Sequence, residues 1–228
     1  PILRPSTSLL FYPRGLDLTF ADRPWVYMVT HVPLAALFGN VVAYNINSLL
    51  ALWAGSYFAY LLILYLTGNR LASWVGGAVF TFWPAHIWMF FSTHHAGHTE
   101  LLPLFMLAFI HALRTCRAGD TLLASGALAL TAYYSVKVTL LAVAAGGLYA
   151  LWWLARERRW RDARLWKALA LFAVTTTLLI APILLPFAAN RGYVGYAVEK
   201  YDISGSTRRT NLGTFVIPFR NSIPTLPS

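Results

Sequence analysis

Charged side chains are scarce in this chain of 228 residues, where Asp, Glu, Lys and Arg together make up 11% of the sequence. Soluble globular domains carry about 25%. Acidic residues are the scarcest, at 8 against 18 Lys and Arg, so the net charge is +10. Apolar residues make up 58% and aromatic residues 15%. This composition excludes a disordered chain and almost any ordinary soluble enzyme, and it predicts an integral membrane protein.

Cysteine is nearly absent as well. The single cysteine, Cys116, lies between Arg114 and Arg117 in a short basic stretch. A chain with one thiol forms no internal disulfide, which excludes a secreted disulfide scaffold. The sequence opens at Pro1 without an initiator Met or a signal peptide. We therefore expect a piece of a longer protein, inactive by itself.

Long uncharged runs predict an all-α, polytopic transmembrane helix bundle of about six spans. A helix needs about 20 apolar residues to cross the ~30 Å hydrocarbon core, so the shorter run 25–38 predicts a helix in the membrane interface. The predicted spans are 41–67, 71–91, the shorter 100–113, 121–134, 136–155 and 165–189. The predicted domains are an outer loop with the interfacial helix at 1–40, a transmembrane domain at 41–189 and an extracytoplasmic loop at 190–228.

Basic residues cluster on one predicted side of the membrane. The short loops 68–70, 114–120 and 156–164, with the bordering Lys167, hold nine of the 18 basic residues. Lys and Arg concentrate in cytoplasmic loops, so these loops are predicted to be cytoplasmic and both termini extracytoplasmic. The basic run at 156–164 lies between two predicted spans, which favours a topology determinant over a nucleic-acid site.

Polar residues concentrate at the predicted outer ends of the spans. His94, His95, His98 and Glu100 lie within seven residues of one another. Imidazole and carboxylate groups suit a divalent cation or phosphate oxygens. The alternative is a short polar turn between two spans, since no zinc spacing such as HExxH is present.

Asp17 and Asp22 are the carboxylates of the N-terminal segment. Either can act as a general base toward an acceptor hydroxyl or hold a metal. The structural alternative is that Asp22 pairs with Arg23 or caps the following helix.

Three further residues, Tyr134, Lys137 and Arg191, are candidate substrate-binding groups. Lys137 follows Tyr134 near the predicted outer interface, where a cation snorkels or binds a lipid phosphate. Arg191 opens a C-terminal segment with several basic and tyrosine residues, which suits a diphosphate or sugar or, alternatively, a solvated loop. His86, His111, Asn45 and Asn47 lie at predicted membrane depth and are expected to form hydrogen bonds between helices rather than to bind a ligand.

Four stretches, in this order along residues 10–190, resemble the GT-C superfamily of membrane glycosyltransferases. Residues 11–18, with Tyr12-Pro13-Arg14-Gly15, are similar to the Tyr-Pro-x-Gly segment of the first outer loop in many bacterial members. Residues 24–39 are similar to the interfacial helix that follows and ends in Phe-Gly. Residues 43–45 and 66–68 are similar to the next span and its Thr-Gly end, and residues 84–102 to the second outer loop.

The resemblance implies transfer of a sugar from a polyprenyl-phosphate-linked donor to an acceptor on the outer face of a bacterial plasma membrane. In many members the catalytic carboxylate lies upstream of the Tyr-Pro-x-Gly segment, which here would precede Pro1. Asp17 matches a family position, and Glu100 falls where relatives place an acidic residue. The predicted roles are Asp17 and Asp22 in catalysis, Glu100 and His98 as ligands of Mg²⁺ or Mn²⁺, and His98, Lys137, Tyr134 and Arg191 in substrate binding.

Two other functions remain open. A transporter or flippase for lipid-linked sugars would use the same polar end, although it is expected to show inverted repeats and charges at the midplane. A non-catalytic membrane subunit would use its outer loops to bind a partner. Membrane lipid, the lipid-linked donor and an unidentified acceptor are the expected partners, and nucleic acid is not.

Overall fold

The computed structural model describes residues 6–7, 16–17, 25–92 and 98–189. Two short strands, β1 (Ser6–Thr7) and β2 (Leu16–Asp17), pair antiparallel with Ser6 opposite Asp17. All the other elements of the described chain are helices, which confirms the all-α prediction. Its helices are α1 (Trp25–Phe38), α2 (Asn40–Thr67), α3 (Arg70–Phe82), α4 (Pro84–Ser92), α5 (Leu101–Thr115), α6 (Ala118–Tyr134), α7 (Val136–Glu157) and α8 (Ala163–Ala189). As far as Phe187 in α8, they lie in one compact unit.

Three of the described helices are long and apolar enough to cross a membrane: α2, α7 and the segment Ala163–Pro186 of α8. The chain is therefore a membrane protein by its fold. Helices α3, α5 and α6 have 13, 15 and 17 residues. At 1.5 Å per residue they reach only about 20 to 26 Å, which is less than the ~30 Å hydrocarbon core.

The predicted span 71–91 forms two helices rather than one. Helix α3 ends at Phe82 and α4 begins at Pro84. Proline has no N–H to continue the helix, and it disfavours a helical conformation in the residue before it. Trp83 accordingly has a φ of −59° and a ψ of 130°. Each of the two helices is too short to span the membrane.

Small residues let α2 pack closely against its neighbours α1, α3 and α5. The buried positions along α2 are Ala43, Asn47, Ser48, Ala51, Gly55 and Ala59. The two backbones approach closely at Gly77 of α3, where an added Cβ would lie 2.6 Å from the backbone oxygen of Ser56. Such close backbone approach is typical of helix pairs in membranes.

Aromatic side chains fill the core between α5, α7 and α8. The rings of Phe105 and Phe109 on α5 lie 6.3 and 5.1 Å from the ring of Phe172 on α8. An added Cβ at Gly146 of α7 would lie 3.2 Å from the Phe105 ring. A hydrogen bond of 2.7 Å between the hydroxyls of Ser125 and Thr175 ties α6 to α8 as well.

Hydrogen-bonded side chains stabilise the turn before α8, which lies in the basic loop 156–164. In the turn before α8, the guanidinium of Arg159 donates to the carboxylate of Asp162, which also accepts from the Arg164 N–H at 2.9 Å. The hydrogen bond from Arg159 is the main cause that lowers the pKa of Asp162 below its usual value. Asp162 therefore stays ionised and fixes the start of α8.

Candidate polar site

A carboxylate and an imidazole form a buried pair just before α5. The Nδ1 atom of His98 lies 2.9 Å from Oε1 of Glu100. The two residues are only 4% and 7% exposed. Among the acidic residues whose side chains the structure describes (Glu100, Asp120, Glu157 and Asp162), Glu100 is the one that is buried. Burying a charged carboxylate is expensive unless it is paired, and His98 supplies the pairing hydrogen-bond donor.

Three aromatic rings surround His98. Tyr134, the last residue of α6, stacks on the imidazole with the ring centroids 5.0 Å apart. Tyr27 of α1 and Phe90 of α4 each lie 5.6 Å from it in tilted arrangements. The pair is thus enclosed by residues from three helices that are distant in sequence. Such packing fixes the imidazole plane and lowers the local polarity around Glu100.

A second histidine, His86, forms a hydrogen bond with Thr99, the residue between His98 and Glu100. The Nδ1 of His86 lies 2.8 Å from the backbone oxygen of Thr81, which can only accept, so Nδ1 carries the proton. In the neutral ring Nε2 is then an acceptor. The hydroxyl of Thr99 donates to this Nε2 at 3.0 Å. Residues 98–100 are therefore held by side-chain hydrogen bonds that reach back to α3 and α4.

Helix α1 adds a third histidine, His31, to these contacts. Tyr27 and His31 stack with the ring centroids 4.9 Å apart. The side-chain amide nitrogen of Asn47 on α2 lies 3.5 Å from Nδ1 of His31. Partial burial, together with the nearby Tyr44, raises the pKa of Tyr27, so its phenol remains a hydrogen-bond donor at neutral pH. We call the residues Tyr27, His31, Asn47, His86, Phe90, His98, Thr99, Glu100 and Tyr134 the polar cluster.

The polar cluster lies part-way along α2 rather than at its end. A Cβ added to Gly55 would lie 3.7 Å from Cα of Glu100. Gly55 follows the first residue of α2, Asn40, by 15 positions. This spacing corresponds to about 22 Å of helix, with about 18 Å remaining to the end of α2. Glu100 is therefore at membrane depth if α2 crosses the bilayer.

A buried hydroxyl group, that of Thr81, lies beside the pair. Thr81 is 0% exposed and lies beside Gly55, whose added Cβ would be 3.4 Å from the Thr81 hydroxyl oxygen. Within the described part of the chain this oxygen has no hydrogen-bond partner, and neither does that of Ser48 on α2. A buried hydroxyl without a partner is destabilising, so these positions suit a bound water or a polar group of a ligand.

The structure brings together only some of the predicted site residues. His98, Glu100 and Tyr134 are in contact. Lys137 lies on the first turn of α7, and its side chain is exposed. Asp17 lies on β2, but its side chain is outside the described part, and Asp22 and Arg191 are outside the described residues altogether. The predicted catalytic roles of Asp17 and Asp22 stay predictions.

The metal ligands were predicted to be Glu100 and His98. In the ranges 25–92 and 98–189, no group of three or more His, Cys, Asp or Glu residues could hold a metal ion. Glu100 and His98 alone offer one carboxylate and one imidazole, whereas Mg²⁺ prefers an octahedral set of oxygen ligands. Further ligands would have to come from water or substrate. His94 and His95 lie outside the described residues.

Sequence reasoning missed Tyr27 and His31 as members of the polar cluster, and it missed Thr81 beside it. The spacing of four between Tyr27 and His31 places both on the same face of a helix, which is a usable signal. Which neighbour this face meets depends on the packing of α1, and the sequence does not reveal it. The expectation of hydrogen bonds between helices is confirmed for three of the four residues, because His86, His111 and Asn47 contact Thr81 of α3, Tyr65 of α2 and His31 of α1. For Asn45 it stays a prediction.

Comparison of the chain with protein-family models, curated proteins and solved structures gave no match. The class of protein that the fold defines is a helical membrane protein with a buried polar cluster. The resemblance to the GT-C superfamily stays a prediction.

Proposed function

We propose that this chain is the membrane part of a glycosyltransferase, which moves a sugar from a polyprenyl-phosphate-linked donor to an acceptor on the outer side of a bacterial plasma membrane. The observation that carries the proposal is the buried Glu100–His98 pair beside a helix of membrane-spanning length. Ionisable groups at membrane depth are costly and mark functional sites. A lipid-linked donor brings its reacting group to a membrane protein from within the bilayer.

The reaction joins the acceptor oxygen to the anomeric carbon of the sugar. The bond from that carbon to the phosphate oxygen breaks, and its electron pair leaves with the polyprenyl phosphate. A carboxylate, with Asp17 and Asp22 as candidates, takes the acceptor proton. Glu100 and His98 would hold Mg²⁺ or Mn²⁺, which would neutralise charge on the leaving phosphate. The phenols of Tyr27 and Tyr134 would donate hydrogen bonds to the sugar, and Lys137 would attract the phosphate.

The proposed topology follows the distribution of basic residues. The loops at 68–70, 114–120 and 156–164 are cytoplasmic, and about six helical segments run through the membrane interior, of which α2, α7 and α8 are long enough to cross it completely. The shorter helices α3, α5 and α6 then rise from the cytoplasmic side toward the level of the polar cluster. This arrangement puts Glu100 below the outer membrane surface, at a depth that a lipid-borne sugar phosphate can reach.

The test is sugar transfer by membranes that contain the full-length protein, with the variant Glu100→Gln. We expect the rate to fall roughly 100-fold or more, because neutralising the carboxylate removes a catalytic or metal-binding charge. Glu157→Gln is the matched control, since Glu157 is exposed at the end of α7. Normal transfer by Glu100→Gln would refute the proposed role of Glu100. Normal transfer by Asp17→Asn and Asp22→Asn as well would refute the whole site assignment.

The position of the buried Glu100–His98 pair also favours a second candidate, a transporter for a lipid-linked sugar. Transporters bind substrate near the bilayer midplane, and Glu100 lies beside the middle of α2. Reconstitution into vesicles separates the two functions. Movement of the labelled lipid across the membrane with its sugar bond intact would favour the transporter, and release of polyprenyl phosphate would favour the transferase.

A further inference from the structure

The turn between α7 and α8 carries a dense cluster of positive charge. Only residues 158–162 lie between the end of α7 and the start of α8. We call residues 156–167 the arginine-rich turn, which holds six basic and two acidic residues and has a net charge of +4 out of the +10 of the whole chain. Five of its basic side chains are exposed: Arg156, Arg158, Arg161, Arg164 and Lys167.

The half-buried carboxylate of the turn is already paired. Arg159 donates a hydrogen bond to Asp162, so these two charges neutralise each other. In the ranges 25–92 and 98–189, no ion pair involves any of the five exposed basic side chains of the arginine-rich turn. Their positive charges are therefore available to an anion from outside the chain.

Indole rings order the arginine-rich turn. The guanidinium of Arg156 lies over the ring of Trp152, 5.6 Å from its centroid. Stacking of this kind occupies the face of the guanidinium and leaves the N–H donors at its edge for phosphate oxygens. The Nε1–H of Trp166 donates to the backbone oxygen of Trp160 at 2.8 Å and so links α8 to the turn. An ordered turn loses less conformational freedom when it binds an anion.

The arginine-rich turn lies at the height of the lipid headgroups when α7 and α8 cross a bilayer. Both helices contain a segment of membrane-spanning length, and the short connection keeps its side chains close to the helix ends. Trp152, Trp160 and Trp166 lie among the arginines and are 54%, 47% and 49% exposed. Tryptophan is enriched at the boundary between hydrocarbon and headgroups. The indoles therefore match that boundary, and the arginines match the phosphate layer beside it.

We propose that the arginine-rich turn binds the phosphate headgroups of acidic phospholipids on its face of the membrane. Guanidinium groups donate two parallel hydrogen bonds to a phosphate, and clusters of basic residues next to a membrane span attract anionic lipids. Nucleic acid carries the same phosphate group, but lipid phosphates are already present at the height of the turn. The proposal does not depend on the reaction proposed for the polar cluster.

Lipid binding to the full-length protein, counted by native mass spectrometry, tests this proposal. The probes are dioleoylphosphatidylglycerol, which is anionic, and dioleoylphosphatidylcholine, which has no net charge. We expect the first to bind about tenfold more tightly, with an affinity that falls as the salt concentration rises. The triple variant Arg158→Gln, Arg161→Gln and Arg164→Gln should lose this preference. A loss of the preference at low salt in the unmodified protein would overturn the proposal.

A matched control removes the same charge from the other two basic loops, 68–70 and 114–120. It carries the substitutions Arg70→Gln, Arg114→Gln and Arg117→Gln, and it should keep the preference for the anionic lipid. Equal losses in the two triple variants would overturn the proposal, because the preference would then follow the total charge of the protein and not this turn.

The melting temperature in phosphatidylcholine alone checks that each variant folds. If the triple variant of the turn does not fold, the single variant Arg161→Gln should still weaken binding of the anionic lipid about twofold to threefold. Unchanged binding by Arg161→Gln would then overturn the proposal. Displacement of the lipid by inorganic phosphate, beyond the effect of sodium chloride at the same ionic strength, would overturn it in favour of a site for free phosphate. Displacement by single-stranded RNA at the same phosphate concentration would overturn it in favour of nucleic acid.

Discussion

The hydroxyl of Thr99 donates to Nε2 of His86 across 3.0 Å, although 12 residues separate them in the chain. The neighbours of Thr99 on both sides form the buried His98–Glu100 pair. Three consecutive side chains therefore take part in two separate hydrogen bonds, and both involve a histidine. The position of Glu100 depends on α4 as well as on α5.

Thr99→Val should loosen the segment that positions Glu100. Valine keeps the shape but loses the donor, which leaves Nε2 of His86 without this hydrogen bond and lowers the free energy of unfolding by about 1 kcal/mol. Transfer activity should fall as well. Thr99→Ser retains the hydroxyl and should restore both the melting temperature in detergent and the activity. Equal behaviour of the valine and serine variants would show that the hydrogen bond has no positioning role.

His98→Ala should destabilise the protein strongly. The substitution leaves the buried Glu100 carboxylate without its partner, and breaking a buried pair in this way typically costs about 3–5 kcal/mol. The double variant His98→Ala with Glu100→Gln should regain part of this loss, because no unpaired charge remains. Thermal unfolding of His98→Ala, Glu100→Gln and the double variant gives the coupling free energy between the two side chains. A coupling near zero would mean that the pair does not form in the folded protein.

Gly77→Ala and Gly147→Ala should have opposite effects. A Cβ at Gly77 would lie 2.6 Å from the Ser56 backbone oxygen, whereas nothing lies within 4 Å of one at Gly147. The first change should push α3 away from α2 and lower the melting temperature. The second should be neutral or stabilising by about 0.5–1 kcal/mol, because alanine is the better helix former. Equal melting temperatures would contradict the close α2–α3 contact.

Acid should weaken the turn before α8 through Asp162. Its pKa is lowered in the folded protein, mainly by the hydrogen bond from Arg159. A lowered folded-state pKa means that the stabilising contribution is present above the unfolded-state value of about 3.9 and is lost as the pH falls through the folded value. Asp162→Asn should therefore be less stable than the unmodified protein at pH 7, with a difference that shrinks below roughly pH 4. A pH-independent difference would contradict this role, and Glu157→Gln is the control.

The limits of sequence reasoning are visible in two helices. The bounds 25–38 of α1 were predicted correctly, because its apolar run ends at Gly39, which has a φ of 81°. The span 71–91 was predicted as one helix, although Pro84 was visible in the sequence. Proline can kink a helix or begin a new one, and here the next helix begins at Pro84 while His86 binds the Thr81 carbonyl. That outcome depends on contacts that no local pattern encodes.

The candidate site also has features that the sequence reveals and others that only the structure reveals. His98 and Glu100 stand out in the sequence, because polar residues are rare in an apolar chain. Their pairing and their enclosure by Tyr27, Phe90 and Tyr134 follow from how α1, α4 and α6 pack. Tertiary packing also decides that Lys137 is exposed. Composition therefore identified candidates, and only the packing of helices selected among them.

Because α3, α5 and α6 are shorter than the bilayer is thick, the depth of the polar cluster depends on the thickness of the bilayer. The protein fixes the height of Glu100 along α2, whereas the lipids fix where the water boundary lies. A thinner bilayer brings that boundary closer to Glu100 and increases its hydration, and a thicker one submerges it further. Lipid chain length thus becomes a control on how much water reaches this carboxylate, without any change in the protein.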